Sequence, residues 1–235
     1  ITAWGNLETA LSALGPVTGV AITAYETAKV TAKSTYDSAI GDIDAAYSTF
    51  AGSLNDAETA YDGELTTAKS TYDGLITSAT GTFDTAVSGA QSTYDTVISD
   101  TATKLSSALG AAETAENNAI EVANETYRGA PSATAEEVRR AAIDTAQTAK
   151  ETADQAAYAE YKTEVEAAFT ARGTAINSAR GDLEGAVAAA KGTYQSDLTD
   201  ALTNYKTTVE MATGTLDVAI GMEEGAYATA LGAYE

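Results

Sequence analysis

Apolar and polar positions along this chain recur with a period of eleven residues. From Phe50 to Tyr127 one large residue returns at that interval: Phe50, Tyr61, Tyr72, Phe83, Tyr94, Leu105, Glu116 and Tyr127, with Glu116 alone departing from the apolar rule. Four residues after each of the first seven stands an aliphatic side chain (Leu54, Leu65, Ile76, Val87, Ile98, Leu109, Ile120), and three further on a small one (Ala57, Ala68, Ala79, Ala90, Thr101, Ala112, Ala123). Eleven residues in three turns is about 3.67 per turn, close to the natural α-helix, so the stripe stays on one face without left-handed winding. The spacing predicts one long amphipathic helix. Its large row begins earlier, at Tyr25, Tyr36 and Tyr47, and slips by three residues to Phe50, a shift that rotates the stripe locally.

The segment Gly129-Ala130-Pro131-Ser132-Ala133-Thr134 is the one clear turn signal, with Gly placed to end a helix and Pro to forbid its continuation. Thr134 and Glu137 then have capping-box spacing. Beyond the turn the same period resumes, read from Arg139: Lys150, Tyr161, Arg172, Leu183, Tyr194, Tyr205, Leu216 and Tyr227 hold the large position. The aliphatic row runs through Ile143, Asp154, Val165, Ile176, Val187, Leu198, Val209, Ile220 and Leu231, and the small row from Ala146 to Ala212. Two helices of similar length joined by a short turn fold back antiparallel, because an extended chain would leave both stripes in water. The expected fold is all-α: a long two-helix hairpin on 11-residue (hendecad) repeats, with right-handed or nearly straight coiled-coil packing. Its parts are an N-terminal packing arm (1–16), a first helix (17–128), a turn (129–134) and a second helix (135–235).

The arm differs from the repeats. Trp4, Leu7, Leu11 and Leu14 follow 3-4-3 spacing, and Gly15-Pro16 predicts a break and a new helix start. No charge falls between Glu8 and Glu26, which raises a membrane span, but Thr, Ser, Gly and Pro dilute the run. The arm is expected to dock on a neighbouring subunit, with a local cap on its own chain as the plainer alternative.

Near the turn, the charged residues Glu116, Arg139 and Lys150 intrude on the large position. Charges at core positions weaken packing but specify register, so Glu116 is expected to meet Arg139 or Lys150 across the hairpin. Opposite the ladder, Gly52, Gly63 and Gly74 stand eleven apart, as do Gly181 and Gly192, then Gly214 and Gly225. A solvated face has better helix formers available, so bare backbone there predicts a lateral contact with another subunit.

Composition narrows the chemistry. The formal net charge of −21 disfavours nucleic acid and anionic headgroups as partners and makes screening by cations useful to any assembly of like-charged helices. There is no Cys and no His, which removes disulfides, thiolate metal sites and the commonest acid–base catalyst. No Ser-x-x-Lys site stands out and the Asp row (Asp37, Asp62, Asp73, Asp84, Asp95) is too widely spaced for two members to share one ion, so no enzyme, cofactor or metal is expected. An acidic chain that starts at Ile1, lacks Cys and carries few Lys is expected outside the cell or at its surface, as a mature form after signal removal. Asn124-Glu125-Thr126 is a glycosylation sequon of the kind that arises often by chance.

Thr71, Thr82 and Thr93, with Thr126 further on, share the eleven-residue interval, and the second helix keeps Thr193 and Thr215. This row resembles the Thr rows of Ala-rich helical antifreeze proteins, which implies a flat Thr and Ala face meeting ice. The period is also similar to that of lipid-droplet and vesicle-binding helices, which depend on Lys beside the apolar face, where Asp stands here. It resembles, in period alone, the right-handed stalks of some prokaryotic surface-layer proteins. The leading expectation is a structural subunit of an extracellular α-helical filament or sheath, a homo-oligomer or homopolymer with no membrane span. A soluble ice- or surface-binding helical bundle is the alternative.

Overall fold

The computed structural model describes residues 2–232, with side chains from Trp4 onward. It contains two helices, α1 (Thr2–Gly129, 128 residues) and α2 (Ala133–Gly232, 100 residues), packed against each other as a hairpin. Ile1 of the expected arm and positions 233–235 of the expected second helix lie outside the described residues.

The chain turns over Ala130–Ser132, inside the expected 129–134 but shorter. Ser132, rather than Thr134, opens α2: its Oγ accepts from the Ala135 N–H at 3.0 Å and its carbonyl from the Glu136 N–H at 3.0 Å. Pro131 sets the reason, since it cannot continue α1 and leaves the next hydroxyl residue placed to cap the new helix. With α2 starting two residues early, Glu137 falls outside a capping box.

The break expected at Gly15-Pro16 is absent, and α1 runs through Pro16. Proline already has a helical φ, and the Ser12 carbonyl that loses its donor lies on an exposed stretch, open to solvent. The first sixteen residues are therefore not a separate arm but the start of α1. Among the described side chains of this stretch, Trp4 is 77% exposed and every residue from Trp4 to Pro16 is exposed.

The helices divide into two compact units. The first comprises Ile1–Thr71 and Gly192–Glu235; its buried residues are Ala39, Ala57, Ala68, Ala201 and Leu216. Across its seam the Tyr61 and Tyr205 rings stand 5.4 Å apart, and Tyr36 meets Tyr227 edge-on at 5.7 Å. Before the three-residue slip Tyr25, Tyr36 and Tyr47 stay about half exposed, whereas Phe50 and Tyr61 after it are better covered. The second unit comprises Tyr72–Lys191, with Thr101, Ala112, Ala123, Ala146, Ala168, Ala179 and Ala190 buried.

In both units small residues form the core, and no large side chain among the described residues is fully buried. A helix with one neighbour has one covered line; apart from Leu216 only methyl and hydroxyl groups lie on it, and longer side chains flank it with their outer edges wet. Ala201, 1% exposed, is the most deeply covered of these residues. Ala201→Leu is expected to wedge the helices apart and cost about 1–3 kcal/mol, the range for overpacking. Tyr205→Ala, which strips a half-covered flank, is expected to cost about 2 kcal/mol, below the toll for a fully buried aromatic. Urea unfolding of the two variants checks this, and a stable Ala201→Leu protein would contradict the small-residue seam.

Candidate assembly surface

The ladder residues lie along the hairpin seam. Phe50, Tyr61, Tyr72, Phe83, Tyr94, Leu105, Tyr161, Leu183, Tyr194 and Tyr205 are half-buried, Leu216 is buried, and Tyr227 is 43% exposed. Most of each ladder residue therefore flanks the line of small residues rather than forming it.

Polar residues pin the seam at intervals. In the second unit Thr101, 2% exposed, donates its hydroxyl to Glu164 Oε2 at 2.6 Å, and Lys104 donates to both Glu164 oxygens at 2.8 and 3.1 Å. The Lys104 hydrogen bond, and then that of Thr101, hold the Glu164 carboxyl below its ordinary value, and the same contact holds the Lys104 ammonium above its own. Arg172, at a large position, lies over the Tyr94 ring at 4.6 Å and the Phe169 ring at 5.3 Å while donating to Gln91 Oε1 at 3.0 Å. A planar cation thus packs where an aromatic stands in other repeats. In the first unit Asn204 reaches Glu64 at 3.3 Å. The partners of every such pair lie at nearly equal distances in sequence from the turn, as an antiparallel register requires.

The contacts expected of Glu116 are differently made. Arg139 forks onto Glu136 of its own helix (2.8 Å from both Nε and Nη2), donates to Asn124 Oδ1 across the seam at 3.0 Å, and lies 5.7 Å from the Tyr127 ring. Lys150 bonds Asp154 one turn on. Glu116 makes no ion pair with either residue; it and Glu113 act on Lys150 only through the field, raising its pKa after the Asp154 hydrogen bond does. The reason is proximity: Glu136 and Asp154 lie three and four residues from their cations on the same helix, which costs less ordering than a reach across the seam. Asn124, the sequon residue, is half-buried and already engaged by Arg139.

Sequence reasoning missed Thr101, Lys104 and Glu164 as a cluster. The signal was present in part, since Thr101 is the one residue of the first small row that is not Ala. Nothing in the period singles out Glu164, which stands beside the rows.

The back-face glycines are open. A Cβ added at Gly52, Gly63, Gly74, Gly181, Gly192, Gly214 or Gly225 meets nothing within 4 Å. Large apolar side chains also stand in water away from the seam, among them Val122, Val138, Tyr158, Phe169, Met211 and Met222. The Thr82, Thr93 and Thr126 hydroxyls donate to carbonyls one turn back on their own helix, at 3.0, 3.0 and 2.8 Å. Among the described residues no three Asp or Glu side chains converge on a point that could hold a metal. Near the start of α1 one stretch is long and apolar enough to cross a membrane by length and composition, with mean hydropathy 1.3 and none of it buried.

Two predictions follow the polar contacts. Asp154 occupies an aliphatic position, and its Oδ1 is buried without a hydrogen-bond partner. Replacing Lys150 and Asp154 together by Tyr and Ile, which restores the row, is expected to leave stability unchanged or raise it by about 1–4 kcal/mol; a less stable double variant in urea would show that the pair contributes net stability. Glu136 is held down from 4.5 to about 2 by hydrogen bonds from Arg139 and then Arg140. Its folded value is below the unfolded one, so its contribution is complete above the unfolded value and is lost as pH falls from about 4.5 towards about 2. The urea midpoint of the native protein should therefore drop more steeply over that window than that of Glu136→Gln, and parallel profiles would mean that the clasp does not hold the carboxylate.

Compared with models of protein families, with characterised proteins and with solved structures, the chain matches none.

Proposed function

We propose that this protein is a structural subunit of an extracellular or cell-surface α-helical filament or sheath. Its hairpin is a hendecad coiled coil, right-handed or nearly straight, closed by the aromatic ladder and extended laterally by the glycine-lined back face. The observation that carries the proposal is the amount of apolar side chain that the two helices leave in water, at Val122, Val138, Tyr158, Phe169, Leu202, Met211, Val218 and Met222. A chain that buries mostly alanine leaves its large residues free for contact with other copies.

The eleven-residue packing repeat is supported by the spacing of buried residues: Ala57 and Ala68; Thr101, Ala112 and Ala123; Ala168, Ala179, Ala190 and Ala201. A second contact surface is supported by the row of glycines, where the backbone lies bare and another helix can approach closely. Two surfaces of this kind suit an open polymer, whereas one would close into a small bundle. The absence of Cys and His and the net charge of −21 suit a scaffold in a saline exterior better than catalysis. Cations would screen the repulsion between subunits.

Gly192→Leu combined with Gly214→Leu is expected to retain helicity, because each added side chain enters open space and Leu is the better helix former. The variant should form no filaments in negative-stain images, where the native chain does. Normal filaments from the double variant would retire the back face as a contact. Discrete particles from the native chain at every concentration would retire the polymer itself.

A further inference from the structure

One side of the seam in the second unit carries two rows of opposite charge. Arg172 of α2 donates to Gln91 of α1 and covers Phe169, which sets these three on one side of the seam. Lys104, Thr101 and Glu164 meet on the other. The repeat gives the reason: Gln91 follows Ala90 of the small row by one residue, about 98° round the helix, whereas Lys104 follows Thr101 by three, about 65° in the opposite sense. Phe169, Arg180 and Lys191 each follow a small-row alanine by one, as Gln91 does, and so line the Gln91 side of α2. Asp73, Asp84 and Asp95 follow the small row of α1 by five, about 33° further out on that same side. Between acids and cations lie the half-buried aliphatic rows, with Val87 on α1 and Val187 on α2. Asp84, Arg180 and Lys191 are exposed and have no hydrogen bond or ion pair within the chain; Glu184, one turn beyond Arg180, does not engage it.

We propose that this side of the second unit stacks on the same side of a second copy, about a two-fold axis parallel to the helices. Register and charge select that partner together. Arg172 meets Gln91 and Glu164 meets Thr101, so the same register sets Arg180 level with Asp84 and Lys191 level with Asp73, to within about one residue. A two-fold axis along the helices turns the side over, lays α1 of one copy on α2 of the other and leaves every height unchanged. Each Arg180 then lands on the other copy's Asp84 and each Lys191 on its Asp73, while the aliphatic rows close on each other between them. A two-fold axis running across the helices would instead lay α1 on α1 and set acid against acid. The two charge rows share one interval of eleven residues, about 16 Å along the helix, so the match repeats along the contact. A differently built acidic partner would meet the Asp row as well as the cations. A second copy offers a cation opposite Asp84 and Asp73, which is the complementarity a chain of net charge −21 needs in order to close on itself. At the third level Asp95, held by the Gln91 amide at 2.8 Å, faces Phe169 and gains no cation.

This contact uses a different surface from the glycine face and does not depend on the filament, and the test keeps the two apart. The chain has no Cys, so single cysteines report the contact directly. Full-length chains carrying Arg180→Cys and Asp84→Cys, mixed and treated with a short bis-maleimide, are expected to give a cross-linked dimer, free or within a filament, that neither variant gives alone. In the background Gly192→Leu with Gly214→Leu, sedimentation at physiological salt should show a dimer. There Arg180→Asp and Asp84→Arg are each expected to raise the dissociation constant about tenfold, because the two-fold axis counts each contact twice. An equimolar mixture of the two reversed chains should associate as tightly as the background chain, since each then meets its opposite in the other copy. Net charge alone predicts otherwise: Asp84→Arg makes the chain less acidic and would tighten association. No preferred cross-link in the mixture, a tighter Asp84→Arg dimer, or reversed chains that fail to rescue each other would overturn the proposal. If the cross-link forms while the native chain makes no filaments, the filament is wrong and this contact stands; filaments without the cross-link mean the reverse.

Discussion

Two helices that have only each other can fully cover little more than a methyl group. Every other feature of the hairpin adapts to this limit. Alanine on the contact line lets the axes approach, and the flanking tyrosines, leucines and isoleucines lie along the groove edges with part of each side chain in water. Apolar burial per residue is consequently small, in a chain where Thr, Ser and Gly are abundant and favour helix less than Ala does. Length compensates: many weak, repeated contacts replace the few strong ones of a globular core.

Repetition brings a problem of its own, because similar repeats fit one another in several registers. The polar contacts address it. Thr101 with Lys104 and Glu164, Arg172 with Gln91 and Tyr94, and Arg139 with Asn124 are each specific to one place along the seam, so a shift by one repeat leaves them unpaired. A partly buried ion pair contributes little net stability, but an unpaired one is costly, and that asymmetry selects one register among near equals. Asp154 shows the cost of the device, with one oxygen held by Lys150 and the other left without a partner.

The same limit bears on function. Large apolar side chains stand exposed and the glycines have open space above them, and the proposed filament would use both.

The all-α fold, the two long helices and the turn between them follow from the sequence alone, because the period of the apolar residues and the Gly-Pro punctuation are local properties that need no knowledge of the partner. Tertiary structure decided what depends on a neighbour or on solvent. Which side chains fill the seam is a matter of how much one helix can cover, so the buried line is mostly alanine and the large row, Leu216 apart, flanks it. Of the charged residues in the large row, Arg139 and Lys150 bond acids on their own helix, since a contact three or four residues away needs less ordering, while Arg172 reaches Gln91 and Tyr94 across the hairpin. Thr101 found Glu164 because the fold set them side by side, a distance of 63 residues that no local pattern encodes. Pro16 lies within α1 on an exposed turn, where the carbonyl that proline leaves without a donor is open to solvent.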